Sequence, residues 1–331
     1  MKKKIFYSKT RKNKTCNRQY KKTFLWMSIF VMSFIGIVLF GYMKKTTVMN
    51  SQSLFHMDRF KLFLKPLLIE RRVGTDGHGD AKKHIIDTMK SIGYTIIEHS
   101  FISKTPHGSK TFTNVIAQPK FIKSEIISFA CHYDSKIYPF HFVGATDSAV
   151  PCAMLIEFAH NIFNILEQSR YTYEFIFFDG EEAFENWDDN DSLYGARQLV
   201  KDISKNQGLF KDRQHKNMKL LILLDLIGNK YPIFNPFINS KIFPILQNIE
   251  KALFPSHGIR YFKGSYKWIQ IEDDHVPFQK IGVNVLHLIP YPFPQTWHTE
   301  DDNQWNIDYE SIQDIGMILL HYVFYIEKHE N

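Results

Sequence analysis

The 331-residue chain contains no H-E-x-x-H, so the paired-histidine helix of zincin proteases is excluded. It has no G-x-S-x-G turn, which leaves an ordinary serine hydrolase unsupported, and no glycine-rich loop that would cradle a phosphate. No internal repeat is present. Acidic residues are absent from positions 1–22, where ten Lys and Arg stand. Those ten account for the net charge of +7: without them 31 basic residues face 34 acidic ones, a balance of −3. The remainder therefore lacks the basic footprint of a nucleic-acid binder, and no nucleic-acid partner is expected. Cysteine is scarce, with three in all.

What is present begins with a run of 20 uncharged residues, 24–43, preceded by Lys21 and Lys22 and followed by Lys44 and Lys45. At ~1.5 Å per residue such a helix spans about 30 Å, the thickness of a bilayer core. The basic excess lies upstream, so the expectation is a cytoplasmic tail (1–23), a transmembrane signal anchor (24–43), a polar stalk (44–60) and a lumenal or extracellular domain (61–331). The run is longer than the apolar core of a cleaved signal peptide, and no small-residue cleavage site follows it. Cys131 and Cys152 are the two cysteines beyond the run, free to pair in an oxidising compartment or to remain buried thiols.

From residue 61 the pattern is that of one globular domain. Short apolar runs at 125–130, 173–178, 219–224 and 283–289 suit strands buried on both faces. Helical spacing appears between and after them, at 149–166, 192–203, 240–253 and 311–326. Strands alternating with helices predict an α/β domain with a central, largely parallel sheet. Residues 205–217 read as a polar, basic surface insertion.

The strand ends carry chemistry. His132 and Asp134 follow the first run, Glu181 and Glu182 the second and Asp225 the third, while His287 lies in the fourth. With Asp147, Asp273, Asp274, His275 and His298 they form a set of His, Asp and Glu, the donors of a catalytic zinc that keeps one position open. Ligands of open α/β sheets bind beyond the carboxyl ends of strands. Carboxylates converging there repel one another unless a cation or a proton offsets them. Adjacent Glu181 and Glu182 allow one carboxylate to ligate while the other acts as general base.

The segments ACHYDSK (130–136), GATDSAVPCAM (144–154), FFDGEEAF (177–184) with Trp187, DSLYGARQL (191–199), LLDLIGN (223–229), DDHVPF (273–278) and VLHLIPYPFPQTWHTEDDN (285–303) together resemble the glutaminyl-peptide cyclotransferases. The resemblance runs in order over roughly residues 60–328. It implies a zinc-aminopeptidase-like fold with a single working zinc, held by Asp147, Glu182 and His298. It implies Glu181 as general base, Asp225 and Asp273 as its acidic partners, and Trp187, His287, Phe293 and Trp297 as pocket residues. It further implies a disulfide between Cys131 and Cys152, peptides with N-terminal glutamine as substrates, and the membrane anchor of Golgi-type members. Glu272 stands where the family often has Gln. The rival reading is a two-zinc aminopeptidase using His132, Asp147, Glu182, Asp225 and His298. A catalytically silent ectodomain, which would have eroded ligands, ranks behind both.

Overall fold

The computed structural model describes residues 54–205, 217–237, 241–265 and 269–329. Six strands form one sheet: β1 (Thr95–Thr105), β2 (Gly108–Gln118), β3 (Ile126–His132), β4 (Thr172–Phe178), β5 (Met218–Leu224) and β6 (Val285–Leu288), in the order β1-β2-β4-β3-β5-β6. β4, β3, β5 and β6 pair in parallel, and their continuous apolar runs are buried on both faces. Successive side chains point to opposite faces of a strand. Accordingly Phe129, Phe175, Phe177, Ile222 and Leu224 enter the larger core, while Ala130, Ile176, Phe178, Leu221 and Leu223 enter the smaller one on the other face.

The expectation of a largely parallel sheet holds only for those four strands. β1 and β2 form an antiparallel hairpin, and β2 joins β4 antiparallel. β1 is a half-exposed edge strand, and the first half of β2 is largely exposed, so neither shows the continuous apolar run that marks the other four.

Seven α-helices are present among the described residues: α1 (Met57–Leu64), α2 (Asp76–Ile92), α3 (Val150–Ile162), α4 (Tyr194–Lys205), α5 (Phe243–Leu253), α6 (His275–Lys280) and α7 (Tyr309–His329). Helices α1, α2, α3, α5 and α7 contribute to the larger core and α4 to the smaller. On α7 the buried residues Ile312, Ile315, Leu319, Tyr322 and Ile326 recur at helical spacing, which turns one stripe of that helix inward.

The compact unit begins at Leu54, earlier than the boundary expected at residue 61. Phe55 and Phe60 are buried. Arg59 makes a two-pronged contact with buried Glu157 of α3, Nε to Oε2 at 2.7 Å and Nη2 to Oε1 at 2.6 Å. The segment read as the end of a stalk is thus part of the core, because its two phenylalanines and one arginine find partners far along the chain. Among the described residues no helix is long and apolar enough to cross a membrane. The run 24–43 and most of the insertion 205–217 lie outside the described residues.

Candidate active site

The four parallel strands end on one edge of the sheet, and the donors gather there. β3 delivers His132 and Asp134, β4 delivers Glu181 and Glu182, and β5 delivers Asp225. Asp147 comes from the turn before α3, where the Asp147–Ser148 peptide is cis. Gly144 opens that turn at φ 59°, and a Cβ there would sit 2.2 Å from the Asp147 carbonyl oxygen, so the turn requires glycine. His298 arrives from the long segment after β6, at φ 57°, a left-handed conformation uncommon for a residue with a side chain.

His298 Nε2 lies 3.2 Å from Asp147 Oδ2 and 3.5 Å from Glu182 Oε1. Both of those oxygens are buried and accept no hydrogen bond. Buried carboxylate oxygens without a partner are costly unless a cation occupies the space between them. Asp147, Glu182 and His298 therefore fit a metal ion, and their N/O donor set suits zinc. Burial alone would lower the His298 pKa, yet Asp147 and Glu182 override it and push it to about 9. Lys136 Nζ holds the other Glu182 oxygen at 3.0 Å.

Behind this trio lies a second group. His132 Nε2 is 3.0 Å from Asp147 Oδ1 and 3.4 Å from Asp225 Oδ1. The Ser148 hydroxyl donates to that same Asp225 oxygen at 2.6 Å. Burial raises Asp225 to about 6 against the opposing pull of His132, and the charges of Asp273 and Asp147 push the same way as burial. Burial also lifts the Glu181 carboxyl well above the ordinary glutamate range; His132 opposes, and Glu182, Asp273 and Asp274 add to the rise. Asp134 accepts from the backbone N–H groups of Glu181 and Glu182, at 3.1 and 3.2 Å, which fixes the turn that carries these two side chains.

A cavity of about 810 Å³ opens onto these residues. Its lining includes Asp147, Glu181, Glu182, Asp225, Asp273, Trp187, Phe293, Trp297 and His298. Trp297 stacks on His298 at 4.0 Å between ring centres, and Phe293 meets Trp297 edge-on at 4.8 Å.

Some expectations are displaced. His287 does not line the cavity; it stands behind it, with Nε2 2.6 Å from Asp273 Oδ2 and its ring 4.0 Å from that of His275. Neither Asp225 nor Asp273 hydrogen-bonds Glu181: the first is engaged by Ser148 and the second by His287. Asp273 acts on Glu181 through space, as a neighbouring negative charge. Cys131 and Cys152 are free and buried, so the expected disulfide is not formed in this structure. The thiols are neighbours, and Cys152 Sγ donates to the His132 carbonyl at 3.0 Å.

Other supporting residues were not singled out from the sequence. Asp302 accepts from Thr146 N at 2.8 Å and Asp147 N at 3.2 Å, so it sets the ligand turn; it lies in the same run of sequence as His298. Ser148 and Lys136 likewise sit inside recognised segments. Arg71 had no signal beyond a pair of adjacent arginines. Its guanidinium is fully buried and donates only to backbone carbonyls: Tyr133, Leu67, Ile69, Val143, Gly144 and, at 3.3 Å, Asp147.

His275 makes a test of acid stability. Burial, reinforced by His287, lowers its pKa to about 3, so the folded protein excludes a proton that the unfolded chain binds near pH 6.5. Stability contributed by neutral His275 is complete above about pH 6.5 and is lost as pH falls toward 3. The slope for one proton is about 1.4 kcal/mol per pH unit. Between pH 6.5 and 5, urea melts of His275→Gln are expected to show a stability loss about 2 kcal/mol smaller than the wild type shows. Equal slopes would mean that His275 is protonated in the folded state.

A sheet whose parallel strand ends gather buried His, Asp and Glu donors beneath an aromatic-walled cavity defines the class of metal-dependent hydrolase-like α/β enzymes described by peptidase family M28, whose family model matches residues 114–323. Within that class the chain belongs to the glutaminyl-peptide cyclotransferases. It is 40% identical over 283 residues to the Bos taurus glutaminyl-peptide cyclotransferase, covering 77% of this chain and 78% of that protein. It is 39% identical over 284 residues to the Gloydius blomhoffii enzyme of the same name, covering 77% of each. The crystal structure of Macrostomum lignano glutaminyl cyclase superposes with a TM-score of 0.77 at 34% identity, over 85% of this chain and 91% of that one.

Proposed function

We propose that this protein cyclises the N-terminal glutamine of peptides and proteins to pyroglutamate, with release of ammonia, and does so with one zinc ion per chain. The observation that carries the reading is the pair of partnerless buried oxygens, Asp147 Oδ2 and Glu182 Oε1, facing His298 Nε2 at the floor of a cavity that also holds the uncommitted carboxylate of Glu181.

Asp147, Glu182 and His298 would hold the zinc, which when bound would act as a Lewis acid toward the γ-amide carbonyl of the substrate. Glu181 takes a proton from the substrate's α-nitrogen as that nitrogen forms its bond to the γ-amide carbon, and returns it to the departing amide nitrogen. One C–N bond forms, one breaks, and the proton leaves as part of ammonia. A base of raised pKa suits both halves of that transfer, and burial with neighbouring carboxylates supplies it. Trp187, Phe293 and Trp297 wall the slot against water, which would otherwise hydrolyse the amide. Ring closure is intramolecular, so holding the side chain folded supplies much of the rate advantage.

His132 beside Asp147 Oδ1 and Asp225 favours a second reading, a two-metal aminopeptidase. Against it, the Ser148 hydroxyl engages the Asp225 oxygen that faces His132. Mass spectrometry of products from a Gln-initiated and a Leu-initiated peptide separates the two. Chelator-sensitive loss of ammonia from the Gln peptide alone is expected; release of free leucine without ammonia would establish the aminopeptidase instead. A membrane anchor at residues 24–43 would place this chemistry in the lumen of the secretory pathway, in the Golgi or a neighbouring compartment, where Cys131 and Cys152 would meet oxidising conditions.

A further inference from the structure

The cavity grades from a buried floor to an exposed rim. Asp147, Glu181, Glu182, Asp225 and Asp273 are all less than a tenth exposed, whereas Trp187 is 40% and Trp297 37% exposed, and Glu272 is exposed beside them. A glutamine whose side-chain amide reaches the floor leaves its own carbonyl, and therefore the next residue, at the rim.

Glu272 lines that rim, and one of its oxygens, Oε2, accepts from the Trp187 indole N–H at 3.2 Å. An amide in its place would accept the same hydrogen bond through its carbonyl oxygen, so the carboxylate is not needed to hold the indole. What it adds is a full negative charge. Among the described residues no cation pairs with Glu272. Glu185, also on the rim, is negative too, with His107 3.3 Å away. Lys136 is the one lysine or arginine among the described lining residues, and Glu182 at the floor already holds it.

Resting on the cyclase reading, we infer that Glu272 is a specificity-determining residue that selects peptides with a lysine or arginine directly after the N-terminal glutamine and disfavours those with an acidic residue there. The charge acts on a side chain outside the reacting centre, so the selection falls on KM and binding rather than on kcat. Unit charges at a partly solvated rim change affinity on the order of ten-fold, and salt screens the effect.

The test uses three peptides that differ only in the second residue, Gln-Lys, Gln-Ala and Gln-Glu, at low and high ionic strength. Ammonia release reports KM and kcat. Quenching of tryptophan fluorescence reports binding whether or not turnover occurs. The wild type is expected to bind the Gln-Lys peptide about ten-fold more tightly than the Gln-Glu peptide at low salt, with a smaller ratio at high salt. In Glu272→Gln, which retains an acceptor for Trp187, the ratio should collapse toward one; Glu185→Gln should reduce it less. Equal binding of the Lys and Glu peptides by the wild type, or a ratio unchanged in Glu272→Gln, overturns the inference. Discrimination in binding without ammonia from any peptide supports the role of Glu272 and overturns the cyclase reading instead.

Discussion

Glu181→Gln is expected to keep its fold and its metal while losing about 10²- to 10⁴-fold in kcat, the range that a positioned general base contributes. The substitution is nearly isosteric and removes only the capacity to carry a proton. Glu181 is not one of the three residues around the proposed metal position, so metal content and melting temperature should match the wild type. The pH profile adds a second signature. Burial and the neighbouring charges of Glu182, Asp273 and Asp274 push the Glu181 carboxyl upward, while His132 opposes them. The base works only when deprotonated, so kcat/KM should fall as pH drops through a pKa above the usual glutamate value of about 4.3. A variant that kept a substantial part of the wild-type kcat, with a normal acid limb, would transfer the base role to another carboxylate.

Arg71 should matter as much to stability as Glu181 does to rate. The guanidinium is buried completely, and its donors reach carbonyls of three separate segments, around residues 67–69, 133 and 143–147. Burial lowers its pKa, partly offset by the charges around it, but arginine stays protonated in any case. Replacing it with leucine strands several buried carbonyls, at about 1–3 kcal/mol for each one that water does not reach. A total on the order of 5 kcal/mol is comparable to the whole stability of many domains, so Arg71→Leu should fail to accumulate as folded protein. Arg71→Lys is the informative variant. An ammonium has three donors and no planar fork, so it cannot serve all three segments. The carbonyls of Val143, Gly144 and Asp147 flank the turn that presents Asp147, and loosening that turn should weaken zinc binding by about 10- to 100-fold, the usual effect of losing a residue that orients a ligand. A competitive chelator titration measures this directly. Wild-type zinc affinity in a folded Arg71→Lys protein would show that the turn is held by Asp302 and the local backbone alone.

The parallel half of the sheet and the candidate donors were legible in the sequence for one physical reason: both leave local marks. A strand buried on two faces must be apolar at every position, and the polar residues that end it are then conspicuous. The hairpin β1–β2 escaped because an edge strand need not be continuously apolar. Residues 54–60 escaped because Phe55, Phe60 and Arg59 acquire meaning only through partners such as Glu157, about a hundred positions away. The family resemblance implies His287 as a pocket residue; the tertiary structure turns it onto Asp273 instead.

By itself the sequence determined the family, the candidate donors and the edge of the sheet where they meet, since ordered motifs and strand-end chemistry are properties of short segments. Only the tertiary structure decided the geometry: that His298 faces one oxygen each of Asp147 and Glu182, that Ser148 engages Asp225, that Glu272 holds the Trp187 indole at the rim, and that Arg71 ties three segments beneath the ligand turn. Those relations join residues far apart in the chain, and no local pattern encodes a distance between them.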